Sequence, residues 1–498
     1  MIERTVDVVV VGYGGAGAFA AIEAQEAGAK VLLAEKSAHH GGLTMLCSGF
    51  MRVATAAAGA AAYLSATSGG RVPEALIRQL AEGMVEAPEH LERLAKSVGA
   101  KVRRSFGSDQ QPQEVCDLYD WPGGKVLGWS GIEEVPGFNS YPWVSFGSYG
   151  QLLMRVLEAN VEARGIQVWL SSPAQRLLIE NGRVRGVVVR HEGEEVLVHA
   201  RGGVVLACGG FEFDRQMLAD FMETPALYGI GHPGNTGDGI RMAQQAGASL
   251  WHMWHIHGSY GFKFPEYTVA FRNHLGGARR EDRKLAWILV DQHGRRFANE
   301  IPPAPQDVSA RPLDQLNPER GSFDRIPAWM VFDDEARGMG PIARPIAAVP
   351  EHYYEWSADN SAEVDRGWIL RGHTLRALAG EMGVPADAFE ATVNAWNNSV
   401  ATQKDSDFSR PPGTMTAMSQ PPFYAVQVWP VVSNTQGGPK HDECQRVLDA
   451  FGQPISGLYA AGELGSLFGH IYLLGGNLTE GLVGGRIAGR RAALGLDA

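Results

Sequence analysis

An α/β fold is predicted by three observations on the 498-residue chain. Residues 6–11, VDVVVV, are β-branched apart from Asp7, as expected of a parallel strand buried on both faces. They run into Gly12-x-Gly14-x-x-Gly17, a helix-compatible stretch, and a second apolar run, KVLLAE, ending at Glu35. Two later apolar runs, VVLACGG (204–210) and GLYAAGE (457–463), also stop at glycine. Strand, glycine turn, helix and strand in this order make a Rossmann-like unit.

The first glycine turn carries most of the information. Gly12 permits a tight turn, Gly14 lets the backbone approach a pyrophosphate, and Gly17 lets the helix pack on the strand. The helix is expected over 18–28, ending at a glycine. Glu35 follows Gly17 by eighteen residues, close to the spacing for a ribose-hydroxyl contact. An acid there disfavours a ribose phosphate, hence an NADP-type ligand. The loop EKSAHHGGLTMLCSGF then supplies Gly41, Gly42, Thr44, Ser48 and Gly49. A second glycine-rich loop so soon suggests a ligand that extends further than NAD requires. Gly462 and Glu463 form another place where backbone and an acid meet a polyol or ribose.

Residues 173–208 alternate as strands about an Asn181-Gly182 hairpin and end in a buried strand. GNTGDGIRMAQQAGA reads as a loop and a helix with Asp238 as N-cap. Pro73 suits a helix start, and Pro88 is expected to break or kink that helix. Residues 250–419 differ in character, rich in Trp, His, Pro and Arg. Two helices there join at Gly383, with Pro385 opening the second.

Composition narrows the function classes. Hydrophobic residues make up 45%, enough for a sizeable core. The net charge is −11 with no Lys/Arg run, which speaks against nucleic acid as a partner. Cys47, Cys116, Cys208 and Cys444 form no CxxC or CxxCH, so free thiols in a reducing cytosol are expected. No apolar run approaches the ~18–20 residues of a membrane-spanning helix. No second dinucleotide fingerprint appears. Electrons would leave to an external acceptor: oxygen, a quinone or a redox protein.

The motifs VVVVGYGGAGAFAA, EKSAHHGGLT, VVLACGGF, NTGDGIRMA, GRRFANE, TQGGPKHD, GLYAAGE and GGNLTEGLVGGRIAG run in order along nearly the whole chain. Their pattern resembles the FAD-dependent fumarate reductase/succinate dehydrogenase-type flavoproteins, and within them the 3-ketosteroid dehydrogenase branch. The resemblance implies a Rossmann-like FAD-binding domain in two segments, 1–249 and 420–498. An α+β catalytic cap, 250–419, interrupts it. It implies that FAD is held by Gly12, Gly14, Gly15, Ala16, Gly17, Glu35, Lys36, Gly41, Gly42, Thr44, Ser48 and Gly49. Further along the chain, Ala174, Ala207, Gly209, Gly210, Asp238, Gly438, Gly462, Glu463, Asn477 and Leu478 complete that set.

A flavin desaturase needs a base for an acidic α-proton, a hydride acceptor, and donors to the enolate oxygen. The resemblance places Tyr472 with Gly475 or Gly476 at the substrate carbonyl; we take Gly476 as the donor. Dicarboxylate reductases carry arginine where this chain has Leu473, and a second catalytic arginine at the position of Ala304. Without those clamps a buried dicarboxylate is costly. The ketosteroid branch has its tyrosine base at the Ala304 position, so the base comes from elsewhere, with Tyr119 and His257 as candidates beside His255, Tyr260 and His470. Trp121 is a wall. The expected reaction is α,β-desaturation of a small hydrophobic cyclic ketone, a 3-ketosteroid or cyclohexanone type; the alternative is reduction of an enone or enoate. His252, His255 and His257 lack a nearby acid or cysteine to complete a metal site. Arg296 and Glu300 are expected to brace the cap against the FAD domain.

Overall fold

The computed structural model describes residues 2–106, 118–144, 149–273, 287–302, 310–343 and 354–495. Strand Ile2–Val11 pairs in parallel with Val31–Ala34 on one side and Glu194–Leu206 on the other. Gln167–Trp169 and Pro454–Ala460 extend this core, also in parallel. The antiparallel strands Ala174–Glu180, Arg183–His191 and Arg446–Leu448 complete an eight-stranded sheet. Val8, Val9 and Val10 are fully buried, as the unbroken β-branched run requires. Asn181 and Gly182 both take positive φ (50° and 76°), the left-handed pair a two-residue hairpin turn needs. Glu192-Gly193 repeats the device at 51° and 87°.

Helices Gly15–Glu26 and Gly476–Leu494 cross at close range on this sheet. The contact is made by glycines spaced four apart. A Cβ on Gly485 would lie 2.5 Å from Ala16 O, and one on Gly489 2.1 Å from Ala20 O. Both helices begin at the carboxyl ends of the parallel strands, so both N-termini open onto one place. Helix Glu74–Lys96 runs unbroken through Pro88, contrary to expectation. Its buried face, with Leu80, Met84, Ala87 and Leu91, packs well enough to outweigh the lost backbone bond.

A second, seven-stranded sheet is centred on Phe423–Thr435. That strand pairs with Ile256–Phe262, Ala328–Asp333, Leu370–Gly372 and Tyr228–Gly229. Most of these partners lie in the middle of the chain, whereas Tyr228–Gly229 lies in the first segment. Helices Leu375–Met382 and Ala386–Thr402 join at Gly383 (φ 71°), with Pro385 just ahead of the second.

Glu300 lies at the centre of a buried ion cluster. It accepts from Arg296 at 2.8 Å and Arg410 at 3.0 Å, while Arg296 also meets Asp405 at 2.9 Å. Both guanidinium groups lie 4.8 Å over the Trp396 ring. Burial raises the Glu300 carboxyl, but the bonds and charges of Arg296 and Arg410 outweigh it and hold it below the usual range. Partners of these groups include Trp287, Leu289, Asp405 and Thr414, so the cluster ties strands and loops of the middle segment together. Replacing Glu300 with Gln leaves Arg410 uncompensated in the interior and is expected to cost about 3–5 kcal/mol, read by urea denaturation. Among the described residues, no helix is long and apolar enough to cross a membrane.

Candidate active site

The carboxyl ends of the parallel strands open into an elongated cleft with about 1190 Å³ of atom-free space. It is lined by Gly12, Gly14, Gly15, Ala16, Glu35, Lys36, Ala174 and Asp238, together with Gly42, Thr44, Ala207, Gly209, Gly462, Glu463, Tyr472, Asn477 and Leu478. The structure thus brings together most of the residues singled out in the sequence, from segments more than 400 positions apart.

The glycines divide by role. A Cβ on Gly12 would meet Ala207 O at 2.4 Å, and one on Gly17 would meet Gly12 O at 1.8 Å. Those two glycines are demanded by the strand–helix packing. A Cβ on Gly14 would find nothing nearer than 3.8 Å, so that position faces the open cleft. The Gly15 N–H donates to Thr44 Oγ1 at 3.0 Å, tying the two glycine loops together. Glu35 accepts from Tyr13 N and Ser37 N, each at 2.8 Å, and so fixes the turn it faces. Lys36 reaches Asp238 at 2.7 Å and Thr236 Oγ1 at 2.7 Å. Asp238 is the first residue of helix Asp238–Gln245, whose N-cap is Gly237, so its expected capping role is replaced by this ion pair.

Several expected residues lie off the lining. Gly17 is packed as described. Gly41 (φ 116°) donates its N–H to Tyr13 O at 2.8 Å. Ser48 is exposed, and Gly49 abuts the Tyr149 backbone. A Cβ on Gly210 would strike Thr435 Oγ1 at 2.0 Å. Gly438 pairs in the short strand Gly438–Pro439 against Trp251, with Gly465 N 2.4 Å from its Cβ position. Tyr119 stacks on Trp121 at 4.4 Å, away from the lining. Ala304 lies outside the described residues.

Tyr472 lines the same cleft as Glu35. Its hydroxyl oxygen accepts from Asn477 N at 3.4 Å and also bonds to the Gly475 N–H. Burial holds its phenol well above the ordinary value, so it stays protonated. The ring of His257 lies 4.4 Å away. Gly476, expected as a second carbonyl donor, has its N–H taken by Leu473 O at 2.7 Å; the tight turn uses the group itself. Leu473 is buried in the apolar core, 2% exposed. The segment leading to Tyr472 is fixed by three donors: Trp251 Nε1 to Gly465 O (3.1 Å), the His252 ring to Ser466 O (2.7 Å) and the His255 ring to Phe468 O (2.5 Å). Of the imidazoles expected as base candidates, His255 is thus a backbone clamp.

Three acids have raised carboxyls: Glu463 on the lining, and Glu212 and Glu480 in the interior. Glu463 lines the cleft, and its Oε1 is buried with no hydrogen-bond partner among the described residues. Burial and the neighbouring Glu212 push its carboxyl well above the usual range. Burial pushes Glu212 and Glu480 up to about 7. Glu480 accepts from Leu467 N at 2.6 Å and Ser466 Oγ at 2.8 Å. A raised carboxyl keeps its proton in the folded state while the unfolded chain, at about 4.3, gives its own up. The stability it contributes is present below pH ~4 and is lost as pH rises toward about 7. Over that window the Glu480→Gln protein is expected to escape a loss of about 3 kcal/mol, read by denaturant titration at several pH values.

Sequence reasoning missed Cys47, Ser172, Cys208, His232, Asn235 and Asn434 on the lining. Asn235 and Asn434 sit in or beside motifs already noted, NTGDG and TQGG, and were findable. His232 carries no local signal.

A glycine cradle without side chains, a helix N-terminus above it, an acid at ribose spacing and an orphaned carboxyl oxygen together fit an extended dinucleotide such as FAD. Fold and cleft therefore define a dinucleotide-binding flavoprotein. Residues 7–478 match the FAD binding domain family, and the chain belongs to that family. Its cofactor is FAD and it is an oxidoreductase. It is 28% identical to 3-oxosteroid 1-dehydrogenase of Mycobacterium tuberculosis strain H37Rv, with 95% of each chain covered. It is 29% identical to 4-oxocyclohexanecarboxylate 2-dehydrogenase of Sinomonas cyclohexanicum, covering 98% of this chain and 94% of that one. Among solved structures, 3-ketosteroid Δ1-dehydrogenase from Sterolibacterium denitrificans superposes with a TM-score of 0.82 at 23% identity, over 99% of this chain and all of that one.

Proposed function

We propose that this protein desaturates a cyclic ketone next to its carbonyl, taking a 3-ketosteroid or a smaller cyclohexanone-type ring. The observation that carries this reading is Tyr472: a recessed, protonated phenol on the lining of the FAD cleft, its oxygen held by backbone amides. Bound FAD supplies the oxidant that accepts the β-hydride. Tyr472 donates to the carbonyl oxygen as negative charge gathers there. His257 packs against the Tyr472 ring and fixes its direction. Leu473 presents apolar surface to the core at the position where a carboxylate clamp would otherwise stand. Lys36 is the one Lys or Arg among the described lining residues, and it is committed to Asp238. The two named ketone dehydrogenases among the relatives support the substrate class.

In this reading Glu35 holds the adenosine ribose, Gly14 and Gly15 pass close to the pyrophosphate, and Glu463 meets the polyol. Asn477 and Leu478 flank the ring system. The FAD-binding unit then comprises the two terminal segments, with the returning segment beginning after strand Phe423–Thr435 rather than before it. Anaerobic mixing of the oxidised holoprotein with ketosteroids, cyclohexanones and succinate tests the substrate class. Flavin absorbance is expected to bleach with a saturated ketone and to stay unchanged with succinate. Bleaching by succinate alone would defeat the proposal.

A further inference from the structure

Against the Tyr472 turn, and outside the cleft lining, lies a fully buried cation. Arg52 sits on strand Phe50–Ala54, directly opposite Trp129 of strand Leu127–Glu134. Arg52 is 0% exposed, and its guanidinium carbon lies 3.6 Å over the Trp129 ring. Its Nε donates to Leu474 O at 3.0 Å and its backbone N to Gly475 O at 3.1 Å. Its own carbonyl accepts from Thr479 Oγ1 at 2.6 Å, one turn into helix Gly476–Leu494. The Trp129 ring leaves no room for a side chain on Gly475, whose Cβ would be 2.3 Å away. Arg52 is thereby locked against the same turn whose other residues, Tyr472, Asn477 and Leu478, line the cleft.

We propose that Arg52 is an electrostatic positioning residue that raises the reduction potential of the FAD ring system in the cleft that this turn lines. A guanidinium stays protonated in protein interiors. Burying it costs several kcal/mol that an apolar side chain of similar size would not, which an additional role would explain. A charge in this position is little screened by salt. It has the same sign as the N-terminal end of helix Gly476–Leu494, so the two fields add. Reduction places extra electron density on the ring, and both fields favour it. The nearest acid on that helix, Glu480, keeps its proton below about pH 7 and offsets little of this field there. The proposal rests on FAD in the cleft and not on the substrate class, so it stands even if ketone desaturation does not.

The test is a midpoint potential measured on the FAD-loaded protein by slow enzymatic reduction against reference dyes, with no substrate present. Arg52→Gln and Arg52→Met, both neutral, are expected to shift the reduction equilibrium at least tenfold toward the oxidised form, about 30 mV for a two-electron couple. Arg52→Lys keeps the charge and is expected to stay within about threefold of the parent. Thr479→Val loosens the turn without touching charge and is expected to leave the potential unchanged. The proposal is overturned if the neutral variants show no shift, or if Arg52→Lys or Thr479→Val shifts as far as Arg52→Gln. Loss of FAD from both neutral variants, or from Arg52→Lys, would mark Arg52 as a folding residue only and would equally overturn it.

Discussion

Tyr472→Phe is expected to slow flavin reduction by a saturated ketone about 10²–10³-fold while FAD remains bound. That is the usual penalty for deleting one preorganised donor to a developing oxyanion. The size follows from the setting of the phenol. Its oxygen is held by Asn477 N and Gly475 N–H, so the group is oriented before substrate arrives. Burial keeps it protonated, so it donates at neutral pH. Phenylalanine preserves the ring contacts with His257 at 4.4 Å and Phe468 at 5.2 Å, so the turn is retained. Rapid mixing with absorbance detection reads the rate, and the flavin-to-protein ratio reads retention. A variant that reduces as fast as the parent would remove Tyr472 from the chemistry. A variant that loses FAD would make it a structural aromatic.

Gly489→Val is expected to destabilise the nucleotide unit by about 3 kcal/mol and to weaken FAD binding. Overpacking usually costs about 1–3 kcal/mol, and here the obstacle is main chain, which cannot rotate away. A Cβ would lie 2.1 Å from Ala20 O, in the middle of the crossing between the two helices that open onto the cleft. Forcing them apart moves Gly15 and Gly476 together. Gly380 is the control, because a Cβ there meets nothing within 4 Å. Gly380→Ala in helix Leu375–Met382 is expected to gain up to about 1 kcal/mol from helix propensity alone. Thermal unfolding with and without added FAD separates the two variants. Equal behaviour would show that the glycine seam is not a tight contact.

The nucleotide half of the fold was legible because its signals are local. Five valines, three spaced glycines and Glu35 follow one another in the chain, and the structure keeps them together. The Asn181-Gly182 hairpin was legible for the same reason: two adjacent residues must both take positive φ. Tertiary packing hid the rest. Nothing local shows that the helix carrying Pro88 runs on, since its buried face decides that. The strand Phe423–Thr435 could be predicted as a strand but not allotted to a sheet, because its partners lie as far back as Tyr228. Gly476 looked like a free donor until the turn was seen to use its N–H. Arg296 and Glu300 were singled out as a brace, but their partners Asp405 and Arg410 lie about 110 residues on. Buried Glu212 and Glu480 were missed because a carboxylate in sequence reads as surface.

The central claim is that this cleft oxidises a ketone at the bond beside its carbonyl. A single anaerobic turnover tests it most directly, with one equivalent of saturated cyclic ketone per bound flavin, followed by absorbance and by mass spectrometry of the released product. The account predicts that the flavin bleaches and that the product is the enone, lighter than its parent by two hydrogens. Flavin that stays oxidised with every saturated ketone, yet is reoxidised from its reduced form by the corresponding enone, would contradict it and assign the cleft to reduction instead.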